Sequence, residues 1–381
     1  MNTISPPFIY IEYNEIMKTY AYNHDPIEFD FLQSVDRFVV TEIPLFAPSG
    51  RGDYLLLEIK KRDMSTWKLI HVLKEATGAE DRDIGYAGLK DKSATTTQMI
   101  SIPKRYEKLL KNVQTDRIEI LSKSYNHLPL KVGQLKANRF KIKLTKMTKE
   151  GARKFTHIAK MMSEKGIPNY YGYQRYGEDG KSWQQGREIA HSGKRLKGAK
   201  EKLLVSSYQG YLFDKWLSKR VSISSIVSQH RAQKASEILE YPLALVEELS
   251  KQKQFLKLFI GDAIRGYPHG KESYCKDMTH SSSRFAKREI APTGLLAGDR
   301  VLRAQSDARH LEEAFDDDEL TTVRGDRRFA WVWAEDVACS YHESSRSMTV
   351  EFTLPRGSYA TSFLEEIGKF SLKPTITRDD R

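Results

Sequence analysis

The sequence lacks several features that mark common classes of protein. Among its 381 residues there is no apolar run of about 18 or more, so a transmembrane helix is excluded. Its only cysteines, Cys275 and Cys339, have no partner spacing, which argues against a disulfide scaffold and a cysteine-rich zinc site. Residues 1–7 show neither the basic start nor the apolar core of a signal peptide. We therefore expect a cytoplasmic protein with no membrane association.

Several motifs for bound cofactors are also missing. The chain contains no G-x-x-x-x-G-K-[ST] phosphate loop, no dinucleotide-binding fingerprint and no H-E-x-x-H zinc motif. The paired H-x-E and P-C-x-x-C motifs of the zinc deaminases are absent as well. The sequence therefore shows no motif for a nucleotide cofactor or for a bound metal ion.

Positive charge is the most prominent feature of the composition. The sequence has 62 lysine and arginine residues against 50 aspartate and glutamate residues, a formal net charge of +12. Basic residues are concentrated in 131–165 and 187–202, whereas acidic residues cluster in 312–319. A basic face separated from an acidic one suits a phosphate backbone, which favours nucleic acid as the partner. The alternative is a solvated basic surface that aids solubility.

Hydrophobic periodicity predicts strand-rich ends around a more helical middle, which indicates an inserted domain. Residues 225–320 give no clear pattern. For one helix both ends are marked, because Ser65 suits the N-cap and Gly78 suits the C-terminal stop. The predicted strands are 37–43, 53–60, 97–102, 139–145 and 348–354, and the predicted helices are 66–76, 149–165, 204–219 and 360–367.

One short segment, residues 85–98 with the sequence GYAGLKDKSATTTQ, contains a single carboxylate between two lysines. Gly85 and Gly88 permit a tight turn or a close approach to a ligand. A carboxylate held between cations stays ionised and can act as a nucleophile, which makes Asp91 a candidate catalytic residue. Glycine, lysine and aspartate are also ordinary turn residues, so a surface turn is the alternative interpretation.

Residues 88–98 resemble the signature of the TruD-type tRNA pseudouridine synthases, approximately G-x-K-D-x-x-A-x-T-x-Q. The catalytic aspartate of that family falls on Asp91. Three further segments match family motifs in the same order, and a weaker F-x-V-x-E match ends at Glu42. The three are GQLKANRF at 133–140, GIPNYYGYQRYG at 166–177 and FTLPRGSYATS at 352–362. The resemblance therefore extends from about residue 38 to residue 367.

The resemblance implies roles for individual side chains. In the family, the asparagine of the motif found here at 133–140 helps to organise the site, and the aromatic residue of that motif packs on the target base. The resemblance implies these roles for Asn138 and Phe140. Phe140 also alternates with apolar residues as a core position of a strand does, and both interpretations can hold. Tyr359 corresponds to an aromatic near the active site, or packs in a strand-to-helix turn. Gln174 and Arg175 either contact RNA phosphates or brace the catalytic loop.

The cation that accompanies Asp91 is not fixed by the resemblance. Some family members carry a lysine a few residues ahead of the F-x-V-x-E element, and this chain does not. The candidates here are Lys90, Lys92 and Arg37. Glu42 is implied as a further supporting residue, and the alternative is an exposed glutamate on an edge strand.

The resemblance also implies a fold and an activity. It implies an α+β protein in which a mixed or antiparallel sheet forms the pseudouridine synthase catalytic domain, residues 1–167 plus 331–381. Residues 168–330 would form an inserted α/β TRUD domain. The implied activity is an isomerase reaction that converts uridine to pseudouridine in tRNA, at uridine thirteen of the D-arm, without a cofactor. Asp91 would attack C1′ or C6 of the nucleoside.

Two other functions compete with this one. A non-catalytic RNA-binding protein would use the same basic face, but the aspartate at the catalytic position favours the enzyme. A metal-dependent nuclease would need clustered carboxylates, with Asp53, Glu58 and Asp91 as candidates. Their spacing in the sequence shows no such cluster.

Overall fold

The structure is a computed structural model that describes residues 10–13, 16–177 and 179–372. Residues 1–7, on which the expectation about a signal peptide rests, lie outside this part of the chain. The ends of the predicted catalytic domain, residues 1–9 and 373–381, lie outside it too. No helix in the described ranges is both long and apolar enough to span a bilayer.

The described ranges contain seventeen strands, nine α-helices and five 3₁₀-helices. The helices are α1 (Thr66–Thr77), α2 (Lys149–Lys165), α3 (Ser182–His191), α4 (Gly198–Gln229), α5 (Ala232–Leu239), α6 (Leu243–Ser250), α7 (Met278–Ala286), α8 (Ser306–Glu312) and α9 (Ala360–Gly368). The strands are β1 (Tyr10–Tyr13), β2 (Ile16–Thr19), β3 (Asp30–Phe31), β4 (Phe38–Pro44), β5 (Tyr54–Arg62), β6 (Gly85–Tyr86), β7 (Thr95–Pro103), β8 (Ile118–Asn126), β9 (Leu135–Thr145), β10 (Ile167–Pro168), β11 (Ala263–Gly266), β12 (Glu272–Tyr274), β13 (Ile290–Leu296), β14 (Asp326–Phe329), β15 (Trp331–Val332), β16 (Glu335–His342) and β17 (Ser347–Pro355).

The chain divides into two compact units, each assembled from separate stretches of sequence. The sheet unit contains Glu28–Lys160 and Ala334–Gly357. The helical unit contains Met161–Trp333 and the described residues of Met1–Ile27 and Ser358–Pro374. The assignment of catalytic and inserted domains made from the sequence stays a prediction.

Nine strands form one mixed sheet in the sheet unit. Seven of them lie in the order β16-β17-β9-β4-β7-β5-β8, with β3 beside β9 and β6 beside β7. The β4–β7 pair is parallel and the other pairs are antiparallel. The predicted α+β fold class is confirmed.

Strand β9 shows how the sequence assigns one face of this sheet to the core. Phe140, Ile142 and Leu144 are buried, and the basic residues between them are exposed. Successive side chains of a strand point to opposite faces, so this alternation buries one face only. The strand predicted over 139–145 is confirmed, and β9 begins earlier because its first residues also pair with β4 and β17.

A row of paired residues crosses the core face of the sheet. In β17, β9 and β4 the row contains Phe352, Phe140 and Val40. It continues through Thr96 in β7 to Lys61 in β5. The row therefore changes from aromatic at one end to cationic at the other.

Helix α1 packs on this core face and follows its sequence signals. Ser65 Oγ accepts the N–H of Lys68 at 3.2 Å, so it is the predicted N-cap. Gly78 has a φ of 72°, a left-handed conformation that favours glycine, and ends the helix as predicted. Leu69 and Leu73 on the inner side of the helix are fully buried.

Helix α4 is the central element of the helical unit and spans 32 residues. The sequence predicted only 204–219 of it, because buried polar residues interrupt the apolar periodicity. Arg220 is one of these, with its guanidinium 2.6 Å from Asp262. The antiparallel sheet β12-β11-β13-β14 belongs to the same unit. Gly294 in β13 leaves room for Trp216 of α4, since a Cβ there would lie 2.3 Å from the indole.

Candidate active site

Asp91 lies in the loop between β6 and β7, which we call the catalytic loop (residues 87–94). Its side chain is half-buried, whereas Lys92 and Ser93 are exposed. The loop is tied down at its start, where Ala87 O accepts the N–H of Gly133 at 2.7 Å. Asp91 therefore lies on an ordered loop at the start of a central strand.

A buried ion pair anchors the residue before Asp91. Lys90 Nζ lies 2.6 Å from Glu42 Oε2, and the two side chains are only 5% and 1% exposed. The second oxygen of Glu42 accepts the N–H of Met99 at 3.2 Å. Glu42 belongs to β4, which lies between β9 and β7, so the alternative of an exposed glutamate on an edge strand is wrong.

The first residue of α1 holds the same point of the loop. Thr66 Oγ1 accepts the backbone N–H of Lys90 at 2.9 Å. The same hydroxyl donates to Gln98 Oε1 at 3.0 Å. The catalytic loop is thus bound to a helix N-terminus and to β4 and β7 through buried contacts.

Lys61, on the core face of β5, is a buried cation that faces Asp91. Its side chain is fully buried, and its Nζ donates to the backbone oxygens of Met64 and, at 3.3 Å, of Asp91. Burial lowers the pKa of Lys61 to about 8; the charge of Asp91 raises that pKa and the charge of Lys90 lowers it. A cation in this position stabilises negative charge at Asp91.

Sequence reasoning missed Lys61. Of the candidates named from the sequence, Lys90 is engaged by Glu42, Lys92 is exposed, and Arg37 is half-buried ahead of β4. Lys61 occupies the next alternate position after Leu55, Leu57 and Ile59 in β5, which places its side chain on the buried face. That position was the signal that could have found it.

The pKa of Lys61 predicts a specific pH dependence of stability. Its pKa is about 8 in the folded protein and 10.5 for an ordinary lysine, so the native state releases this proton first. Between these pH values the unfolded state binds more protons, and stability rises with pH by up to about 1.4 kcal/mol per unit. We expect the difference in unfolding free energy between wild type and Lys61→Met to grow in favour of wild type from pH 8 to pH 10, measured by urea unfolding. A difference that stays flat over this range would show that the ammonium is solvated.

Asn138 and Phe140 share the core face of β9. Asn138 pairs directly with Glu42 of β4, which places it beside the anchor of the catalytic loop. Phe140 is buried between Phe38 and Phe352, with ring centroids 6.1 and 5.5 Å away. These contacts fit the core interpretation of Phe140, and its role as a platform for the target base stays a prediction.

Three buried polar atoms on this face have no hydrogen-bond partner within the described ranges. They are Asn138 Oδ1, Gln98 Nε2 and Thr96 Oγ1. Each such atom costs about 1–3 kcal/mol, and folded proteins contain few of them without a functional or solvent explanation. The three lie near Glu42 in the sheet and offer both donors and an acceptor to a ligand.

Tyr359, Gln174 and Arg175 lie in the helical unit. The ring of Tyr359 is 5.7 Å from that of Tyr171, and Gly172 is needed beside it because a Cβ there would lie 2.7 Å from the Tyr359 ring. Arg175 lies 4.7 Å over the ring of Tyr171 and donates to a backbone oxygen of α4 at 2.8 Å. Gln174 is exposed. Parts of the motifs at 166–177 and 352–362 therefore pack on each other.

A buried carboxylate that sequence reasoning missed supports this cluster. Asp214 of α4 accepts the N–H of Tyr171 at 3.0 Å and the hydroxyl of Tyr176 at 2.7 Å. Burial raises the pKa of Asp214 to about 6, and the charge of Lys18 partly offsets this. A lone carboxylate among the large apolar residues of 211–216 was the available signal.

The carboxylates required for a nuclease do not come together. Glu58 accepts the hydroxyl of Ser122 at 3.1 Å, and Asp53 lies in the turn before β5. Asp91 lies on the catalytic loop, on the core side of the sheet next to Lys61. Within residues 10–13, 16–177 and 179–372, no group of three or more histidine, cysteine, aspartate or glutamate residues could hold a metal ion.

Comparison with known proteins decides the family. The profile of the family described as tRNA pseudouridine synthase D (TruD) matches residues 16–194 and 181–367, which together make up most of the chain. The chain belongs to the TruD family. The resemblance inferred from the motifs is therefore confirmed.

Whole-length relatives agree with this assignment. A tRNA pseudouridine synthase D of Nitratiruptor sp. is 42% identical over 353 residues, covering 92% of this chain and 98% of the relative. Another of Wolinella succinogenes is 39% identical over 358 residues, covering 93% and 99%. A crystal structure described as that of a putative tRNA pseudouridine synthase D (TruD) from Methanosarcina mazei matches this fold with a TM-score of 0.65 at 18% identity. The match covers 95% of this chain and 97% of that one.

The matched ranges include every site residue predicted from the TruD motifs, from Glu42 to Tyr359. Membership of the family does not by itself assign a role to any of them. The individual roles of Asp91, Asn138 and Phe140 stay predictions.

Proposed function

We propose that this protein is a tRNA pseudouridine synthase that isomerises uridine thirteen in the D-arm of tRNA, with Asp91 as the nucleophile. The observation that carries the proposal is the setting of this carboxylate. Asp91 is half-buried on a loop fixed by two buried lysines, Lys90 through Glu42 and Lys61 through the loop backbone. A surface turn has no need of such anchors.

The reaction breaks the N1–C1′ bond of uridine and forms a C5–C1′ bond to the same uracil. Asp91 forms a transient covalent bond with the nucleoside. A bond to C1′ breaks as C5 attacks that carbon, whereas a bond to C6 breaks after the C5–C1′ bond has formed. The proton on C5 is lost and N1 gains one, so no atoms are added overall. The chemistry needs a nucleophile and a closed pocket, and no redox step.

The groups around Asp91 fit these requirements. Lys61 provides positive charge beside the carboxylate. The unpartnered atoms of Asn138, Gln98 and Thr96 are available to hydrogen-bond with the uracil while it is detached and turned. Phe140, two residues after Asn138 on the same face, is the proposed stacking partner of the base.

The target base must leave its stack to reach this site, which costs a few kcal/mol. A net charge of +12 favours the phosphate backbone and so contributes binding energy toward that cost. Gln174 and Arg175 are proposed to contact RNA phosphates or to brace the catalytic loop, and Tyr359 is proposed as the equivalent of the aromatic that the family motif carries. Recognition would depend on tRNA shape and on the flipped uridine.

The test uses purified protein and unmodified tRNA transcripts. We expect carbodiimide mapping to show pseudouridine at position thirteen, and no product with a transcript that carries cytidine there. Conversion at a different uridine would correct the target but keep the activity. Tight binding with no conversion of any uridine would instead favour the alternative, a non-catalytic RNA-binding protein.

A further inference from the structure

One tryptophan differs from the other four in its surroundings. Trp67 is 55% exposed, whereas the others, all in the helical unit, are at most 7% exposed. Burial of an indole is strongly favourable, yet this one stays largely in water beside the loop that carries Asp91.

Trp67 is attached directly to the support of the catalytic loop. It follows Thr66, whose hydroxyl accepts the N–H of Lys90 at 2.9 Å. Its ring lies 5.7 Å from that of Tyr86, edge to face at 76°, and Tyr86 ends the strand that leads into the loop. The indole is therefore held in position on its Tyr86 side while more than half of its surface stays open.

The surroundings of Trp67 match nucleic acid. Leu89, next to Lys90, is also 55% exposed, the exposed Lys68 follows Trp67 in α1, and Lys92 is an exposed lysine of the catalytic loop. An open aromatic ring, with one exposed lysine next to it in α1 and another on the loop that Thr66 holds, fits a base with its flanking phosphates. A protein-binding surface would present a wider apolar core with little charge.

We propose that Trp67 is a stacking platform for an unpaired nucleobase of the substrate tRNA, next to the uridine that enters the site. The proposal rests on the proposed function, because the tRNA strand must pass the catalytic loop for its neighbouring base to reach the indole. Stacking there would hold the strand open while the target uridine is flipped out. Trp67 would thus contribute to binding and not to the chemical step.

Because Trp67 is much more exposed than the other four tryptophans, fluorescence quenching can test the proposal directly. In Asp91→Asn protein, used so that the tRNA is not converted during the measurement, acrylamide should quench one accessible tryptophan. We expect bound tRNA transcript to protect that component, and we expect it to be missing from the Trp67→Phe form of the same protein. If saturating tRNA leaves the quenching of this tryptophan fluorescence unchanged, the proposal is wrong.

Binding and turnover give a second readout. We expect Trp67→Ala to weaken tRNA binding about tenfold, and Trp67→Phe, which keeps an aromatic ring, to weaken it less. The rate at saturating tRNA should change little for both. Ile238→Ala, which truncates an exposed apolar residue of α5 in the other unit, is the matched control and should bind as wild type does.

The two proposals fail in different ways. If wild-type protein converts no uridine, the proposed function fails. If it converts tRNA while Trp67→Ala binds as tightly as wild type, only the stacking platform fails. Circular dichroism of both variants checks that the fold is kept, and the conservative Trp67→Phe keeps the test decisive if Trp67→Ala is damaged.

Discussion

Replacing Asp91 with asparagine should lower conversion of uridine by at least about 10³-fold, because the amide has the shape of the carboxylate but no nucleophilic oxygen. Binding of tRNA should stay within a few fold of wild type. The substitution removes one negative charge near a polyanion, so electrostatics give no reason for weaker binding. Single-turnover conversion and filter binding with the same transcript measure the two effects separately.

Asp63→Asn is the matched control for this change. Asp63 follows β5, is exposed, and lies 3.7 Å from Arg117, an exposed pair whose loss costs little. Its φ of 46° is a conformation that asparagine tolerates well. Activity of this variant should stay close to wild type. If Asp91→Asn loses binding and conversion equally, Asp91 is structural and the proposed mechanism is wrong.

Local signals in the sequence were sufficient for much of the fold. The limits of α1 were predicted because Ser65 and Gly78 act on their own helix ends through contacts that span a few residues. Strand β9 was predicted because its alternation is strict. Asp91 was predicted as the nucleophile from a motif, which needs no knowledge of tertiary contacts.

Long-range contacts explain what the sequence could not provide. Lys61 is 30 residues from Asp91, and only the pairing of β5 with β7 brings its ammonium to the catalytic loop. Asp214 supports Tyr171 across 43 residues. The length of α4 was underestimated for the same reason, because its buried polar residues find partners in distant segments.

Removing the carboxylate of Glu42 should destabilise the sheet unit by about 3–5 kcal/mol. In Glu42→Ala the ammonium of Lys90 stays buried without its partner at 2.6 Å, and an uncompensated buried charge is costly. The N–H of Met99 loses its acceptor as well. We also expect conversion of uridine to fall, because the same contact positions the residue before Asp91. Urea unfolding and single-turnover kinetics below the transition measure the two effects.

Two further variants separate stability from positioning of the loop. Glu351→Ala also removes a glutamate from the sheet, but its partners Arg139 and Lys141 are more than half exposed, so we expect a loss below about 1 kcal/mol. The double variant Glu42→Leu/Lys90→Met replaces the buried pair by apolar groups, which is often neutral for stability. It should recover most of the stability but not the activity, since an apolar contact does not fix the loop with a directional hydrogen bond. Full activity in the double variant would show that the ion pair serves the fold alone. The side chains of Thr66 and Lys61, which contact the backbone of the catalytic loop, would then be sufficient to place Asp91.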